Sequence, residues 1–165
     1  MIGYQGESNQ MTVESQLKQK KLYETDYYIW VVETVKQLQN QDFEAVDWDN
    51  LIEEISDLAR RDKKKLKSLL KHLIEHLLKF KYWEAEKSIN QGHWQAEITN
   101  FRQLIQDELE DSPSLRSYLQ EIYTQCYTEA RKIASQRSQL SLDTFPSEPI
   151  APLEKILDEN WLPES

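Results

Sequence analysis

Apolar residues recur along this chain at steps of three and four, a spacing that predicts helices. The clearest run is Leu51, Ile52, Ile55, Leu58, Ala59, Leu66, Leu69, Leu70, Leu73, Leu77 and Phe80, with Asp62 its one polar member. Asp47 precedes it as an N-cap. Val46 and Leu51 stand at the spacing of a hydrophobic staple. Asp49, Glu53 and Glu54 put negative charge in the early turns, where the helix dipole favours it. One helix over residues 48–86 would be about 58 Å long, against about 40 Å across a compact domain of this size. Yet no Gly or Pro interrupts it, and Lys63, Lys64 and Lys65 would crowd the positive end of a helix restarted at Asp62. The expectation is a long central helix, continuous and bent near Asp62, whose overhanging end invites self-association.

Four further elements follow from the same pattern. A first helix opens at Thr25 or Asp26, carries Ile29, Trp30, Val31, Val32, Val35 and Leu38, and ends at Gln39–Asn40. Asn90, Gln91 and Gly92 predict a turn, followed by a helix from about Trp94 to Glu110. Ser112–Pro113 reads as a cap with Pro at the first helical position. The helix it opens fades near Ser138. From Ser141 onward four prolines within 18 residues predict an extended arm with one short helix, about Pro152 to Asp158. Its apolar residues Phe145, Ile156, Leu157 and Trp161 predict docking on the helices. The chain thus divides into a flexible arm (1–21), a helical bundle (22–140) and a docked C-terminal arm (141–165), one domain in all. Met11 is an alternative start.

Composition agrees with an all-α chain. Three Gly and five Pro in 165 residues are too few for a turn-rich β sandwich, and one Cys excludes a disulfide framework or a Cys-based zinc module. The N-terminal stretch has no apolar core of a signal peptide, and no run approaches the ~20 apolar residues of a membrane span. These features predict a cytoplasmic protein without membrane contact.

The stretches Leu22–Trp30, Trp48–Ile55, His76–Phe80, Glu110–Leu115 and Leu153–Pro163, in that order, resemble domain-of-unknown-function family 29, found in cyanobacteria and some proteobacteria. The resemblance spans about Leu22 to Pro163. It implies an all-α fold and brings no activity, cofactor or functional residue with it.

Charge and chemistry leave three functional readings. The net charge is −9, yet residues 60–87 hold ten basic and four acidic side chains. The band Arg60, Arg61, Lys63, Lys64, Lys65, Lys67 and Lys71 could contact nucleic acid. It has no interleaved aromatics for base stacking, and its flanks are acidic. Internal pairing with acidic helices such as 107–111 is the favoured reading. His72-Leu-Ile-Glu75-His76 matches an inverted zincin pattern, in which two His one turn apart would share a metal and Glu75 would polarise water. At 100° per residue both His flank the core stripe, and a metal-dependent hydrolase is disfavoured. Asn50, Glu53 and Asp57 line the face opposite the core, with Glu54 beside them; a solvated acidic face is the favoured reading, and docking of a basic partner is the alternative. Cys126 fits a buried position. The leading expectation is a non-enzymatic helical interaction module with a protein partner, no cofactor and no metal.

Overall fold

The computed structural model describes Glu14 and residues 17–164. These residues are helical with no strand, so the fold class is all-α as the periodicity predicts. Helical residues 17–25 form α1. They are followed by α2 (Tyr27–Gln39), α3 (Trp48–Tyr82), α4 (Glu84–Asp111), α5 (Leu115–Ser138), a 3-10 turn (Leu142–Thr144) and α6 (Leu153–Leu157). Of the stretch 1–21, residues 1–13, 15 and 16 lie outside the described residues, Met11 among them, while residues 17–21 are helical.

Local chemistry fixes most boundaries. Asp26 caps α2, its carboxylate accepting from the Ile29 amide at 3.1 Å. Asp47 accepts from the Asn50 amide and, at 2.6 Å, from the Asn50 side chain. Helix α3 then runs unbroken through Asp62 for 35 residues, about 52 Å.

Two boundaries differ from expectation. Helix α4 passes straight through Asn90–Gly92. Asn90 donates to Glu86 one turn back at 2.8 Å, which supports the helix instead of a turn. The break falls earlier, at Trp83, whose backbone (φ −94°, ψ 67°) leaves the helical region and whose ring stacks on Trp94. Glu84 and Glu86 supply the acidic first turn. Second, Ser112 does not cap α5. It closes α4, its amide donating to the Glu108 carbonyl, so α5 starts only after Ser114.

The chain separates into two compact units, Met1–Ala59 and Arg60–Ser165. In the first, the buried apolar side chains are Trp30, Ala45 and Val46. This corrects the apolar stripe read from the sequence: Ile52, Ile55 and Leu58 are 56–60% exposed, and the buried stripe begins only at Leu66. In the second, residues of α3, α4, α5 and the C-terminal segment share one core, from Leu66 through Tyr127 to Phe145 and Ile156.

The C-terminal segment is held by side chains that donate to its backbone carbonyls. Buried Arg102 reaches Ile156 and Trp161, each at 2.8 Å, and Arg131 reaches Phe145 and Leu142. Tyr127 donates to Pro146, and Tyr123 to Ala151. A segment with little regular structure must find partners for its buried carbonyls, and these four side chains supply them. Phe145, Leu153 and Ile156 are buried beneath it.

Candidate functional site

The His72–Glu75–His76 pattern lies on α3, in the second unit. Each imidazole faces the carbonyl one turn back: His72 Nδ1 to Ser68 at 2.8 Å, and His76 Nδ1 to His72 at 2.9 Å. Opposite a carbonyl, Nδ1 must carry the proton, which leaves Nε2 as the acceptor. In His76 that lone pair faces the Lys79 ammonium at 3.4 Å. Glu75, 1% exposed, accepts from Arg137 at 2.8 Å and pairs with Lys79 at 3.1 Å. Phe101 packs against both His rings.

This arrangement is poor for metal hydrolysis. The would-be general base is held by two cations, and an ammonium stands where His76 would bind a metal. Burial, first of all, pushes the His76 pKa below its ordinary value. No cluster of three or more His, Cys, Asp or Glu with metal-binding geometry occurs among the described residues. What the site does chemically is neutralise a buried carboxylate. Sequence reasoning found Glu75 without its partners. Lys79, four residues on, was legible as a helical pair; Arg137, on α5, was not.

The basic band is largely engaged within the second unit. Lys65 pairs with Glu108 on α4, and Lys67 and Lys71 with Glu129 on α5 at 3.0 and 3.5 Å. Lys67 holds the Glu129 carboxyl below its usual range. Lys63 lies over the Tyr118 ring. Arg61 and Lys64 are exposed and have no ion pair among the described residues. Cys126 is fully buried, and burial raises its thiol pKa to about 11, which favours the protonated thiol near neutrality. A cleft of about 350 Å³ beside α6 is lined by Arg116, Glu154 and Asp158 over Leu119, Leu153 and Leu157.

The acidic candidates Asn50, Glu53, Glu54 and Asp57 lie in the first unit and are not equivalent. Asn50 serves the Asp47 cap. Glu53 is exposed. Glu54 accepts from the Tyr23 hydroxyl at 2.8 Å and the Tyr27 hydroxyl at 2.9 Å, and the first bond is the main reason the Tyr23 pKa is pushed up to about 12. Asp57 is half-buried.

Glu54 also belongs to a feature the sequence did not reveal. An open groove of about 160 Å³ runs between α2 and α3, walled by Tyr27, Val31, Val35, Leu38, Leu51, Ile55 and Leu58. Trp30 and Thr34 line it too. Both are at least 97% buried, yet Trp30 Nε1 and Thr34 Oγ1 have no hydrogen-bond partner among the described residues. Periodicity marked the wall residues as apolar but assigned them to a core.

No helix among the described residues is long and apolar enough to cross a membrane. No curated protein and no solved structure matches the chain. One family model does, across residues 22–162, and its span contains both units' helices from Leu22 onward. The chain therefore belongs to the family described as domain of unknown function DUF29.

Proposed function

We propose that this protein is a non-enzymatic helical interaction module, working in the cytoplasm without metal or cofactor, that docks a protein partner through the α2–α3 groove. One observation carries the reading. Of the 13 large apolar residues that are exposed among the described residues, 11 lie between Leu17 and Leu58. Concentrated apolar exposure of this kind marks contact surfaces. Hydrolysis lacks a free base at Glu75, and nucleic-acid binding lacks the lysines already paired with Glu108 and Glu129.

A photo-crosslinking residue placed at Val35 tests the reading, with one at Ile89 (78% exposed, in the second unit) as control. The expected result is one recurrent adduct from Val35 only. Once identified by mass spectrometry, that protein in recombinant form should bind the wild-type chain and not Leu58→Glu. Equal adducts from both positions, or none from Val35, overturn it.

A further inference from the structure

The groove between α2 and α3 has a composition that specifies more than an apolar contact. Its lining is mostly apolar, and its one charged lining residue among the described residues is Glu54. Exposed Glu53 stands beside Glu54 on α3. Residues 17–59 as a whole carry ten acidic and four basic side chains. Taking the groove as a docking surface, as proposed above, we infer that its occupant is a basic amphipathic helix from a partner protein. Such a helix would have apolar residues at i, i+3 or i+4 and i+7, and Lys or Arg along the flank facing Glu53 and Glu54.

Each part of that description answers a feature of the groove. Two helices form the walls, and a groove between helices receives a third as ridges into grooves. An extended peptide would need an open sheet edge, and the described residues include no strand. The acidic rim sets the sign of the partner's charge. Like charge across an interface is costly, whereas opposite charge speeds association and fixes orientation.

The same charges argue against the chain's own segments. Residues 1–13 contain no Lys or Arg. Two copies meeting groove to groove would set acidic rim against acidic rim. The basic band of a second copy has Lys65, Lys67 and Lys71 already paired with Glu108 and Glu129, which leaves Arg61 and Lys64 as exposed cations with no ion pair among the described residues.

The test uses the full chain and three designed 20-residue probes. The first is a Leu/Lys amphipathic helix. The second keeps its Leu positions and replaces every Lys by Glu. The third is the first peptide scrambled, which keeps the charge and destroys the apolar face. Binding is followed by anisotropy, and contact by the indole N–H resonance of Trp30, assigned through Trp30→Phe. The expected result is micromolar binding of the first peptide with a shift of the Trp30 resonance. Affinity should be at least tenfold weaker for the other two peptides. Leu58→Glu and Glu54→Lys should each lose at least tenfold. Circular dichroism of the two variants shows whether the fold is kept, and the peptide comparison on the wild-type chain stands without them.

Preferential binding of the acidic peptide with the same Trp30 shift overturns the basic occupant and leaves the docking reading in place. So does a wild-type dimer by light scattering that Leu58→Glu abolishes, which would make a second copy the occupant. Equal binding of first and scrambled peptides without a Trp30 shift overturns the inference as mere charge attraction. Failure of all three peptides overturns it as well. The crosslinking result at Val35 then decides separately whether the groove docks any partner.

Discussion

Among the described residues, Met1–Ala59 buries three apolar side chains, Trp30, Ala45 and Val46, while Arg60–Ser165 buries 21. The exposed large apolar residues divide the other way, 11 to 2. Both units are built from helices with the same three-and-four apolar spacing. The difference lies in what covers the apolar side. In the second unit α3, α4, α5 and the C-terminal segment supply one another's cover. In the first, the apolar side of α2 and of α3 before Ala59 opens as a groove. Apolar periodicity therefore reports that a helix has a face, not that anything in the same chain meets it.

The sharpest way to break this comparison is a matched pair of truncations. Phe145 is fully buried and Ile55 is 58% exposed. Phe145→Ala should cost about 3–5 kcal/mol, the range for emptying a large aromatic site in a packed core. Ile55→Ala should stay within about 0.5 kcal/mol, as for exposed positions. Urea denaturation of both variants measures the difference. A cost at Ile55 approaching that at Phe145 would mean that the groove wall is core and would remove the docking surface.

A second pair compares carboxylates. Glu75 and Glu54 each accept from two side chains, but Glu75 is 1% exposed and faces two cations, while Glu54 faces two hydroxyls at a groove rim. Glu75→Gln leaves the buried Lys79 ammonium short of its counter-charge, and should cost about 3–5 kcal/mol. Glu54→Gln should cost about 1 kcal/mol. It should also let the Tyr23 pKa fall from about 12 toward its ordinary value of 10, because the Glu54 hydrogen bond is the main reason for its rise. A Tyr23 titration unchanged by Glu54→Gln, followed by NMR, would show that the contact does not persist in solution.

Much of the fold was legible because its signals are local. The Asp26 and Asp47 caps, the uninterrupted 48–82 stretch and the proline-marked arm each rest on residues a few positions apart. Two signals were misread because packing outweighed propensity. A Gly in a helix interior costs about 1 kcal/mol, and at Gly92 the helix continues, carrying Trp94 and Ile98 into the core on the next turns. Ser112 was already engaged as the end of α4 and could not begin α5. The site was less legible. Whether Ile55 and Leu58 are covered depends on other elements of the fold, and the Arg137–Glu75 pair joins residues 62 apart. Trp30 was legible as an apolar position of the first helix and is buried; that its indole nitrogen has no partner among the described residues is visible only in three dimensions.

The smallest expected effect separates the two units by pH. All three His residues lie in the second. His76 is the buried one. Burial is the largest influence lowering its pKa, and the Lys79 ammonium adds to it; the His72 carbonyl, Glu75 and Glu97 oppose. The unfolded chain takes up a proton at this position near pH 6.5 while the native chain, with its lower pKa, does not. Above 6.5 the group is neutral in both states and costs nothing. As pH falls below 6.5 the unfolded state binds the extra proton, and stability falls until the native His76 is itself protonated. Between pH 7.5 and 5.8, before most carboxylates titrate, the unfolding free energy should drop by up to about 1 kcal/mol, since a tenfold change in proton activity shifts it by at most about 1.4 kcal/mol per group. His76→Gln should flatten that slope. The corresponding peptide-binding affinity at the first unit, which holds no His, should stay constant over the same window. A slope that survives His76→Gln would mean that His76 is not its source. A binding affinity that falls with it would show that the two units do not respond separately.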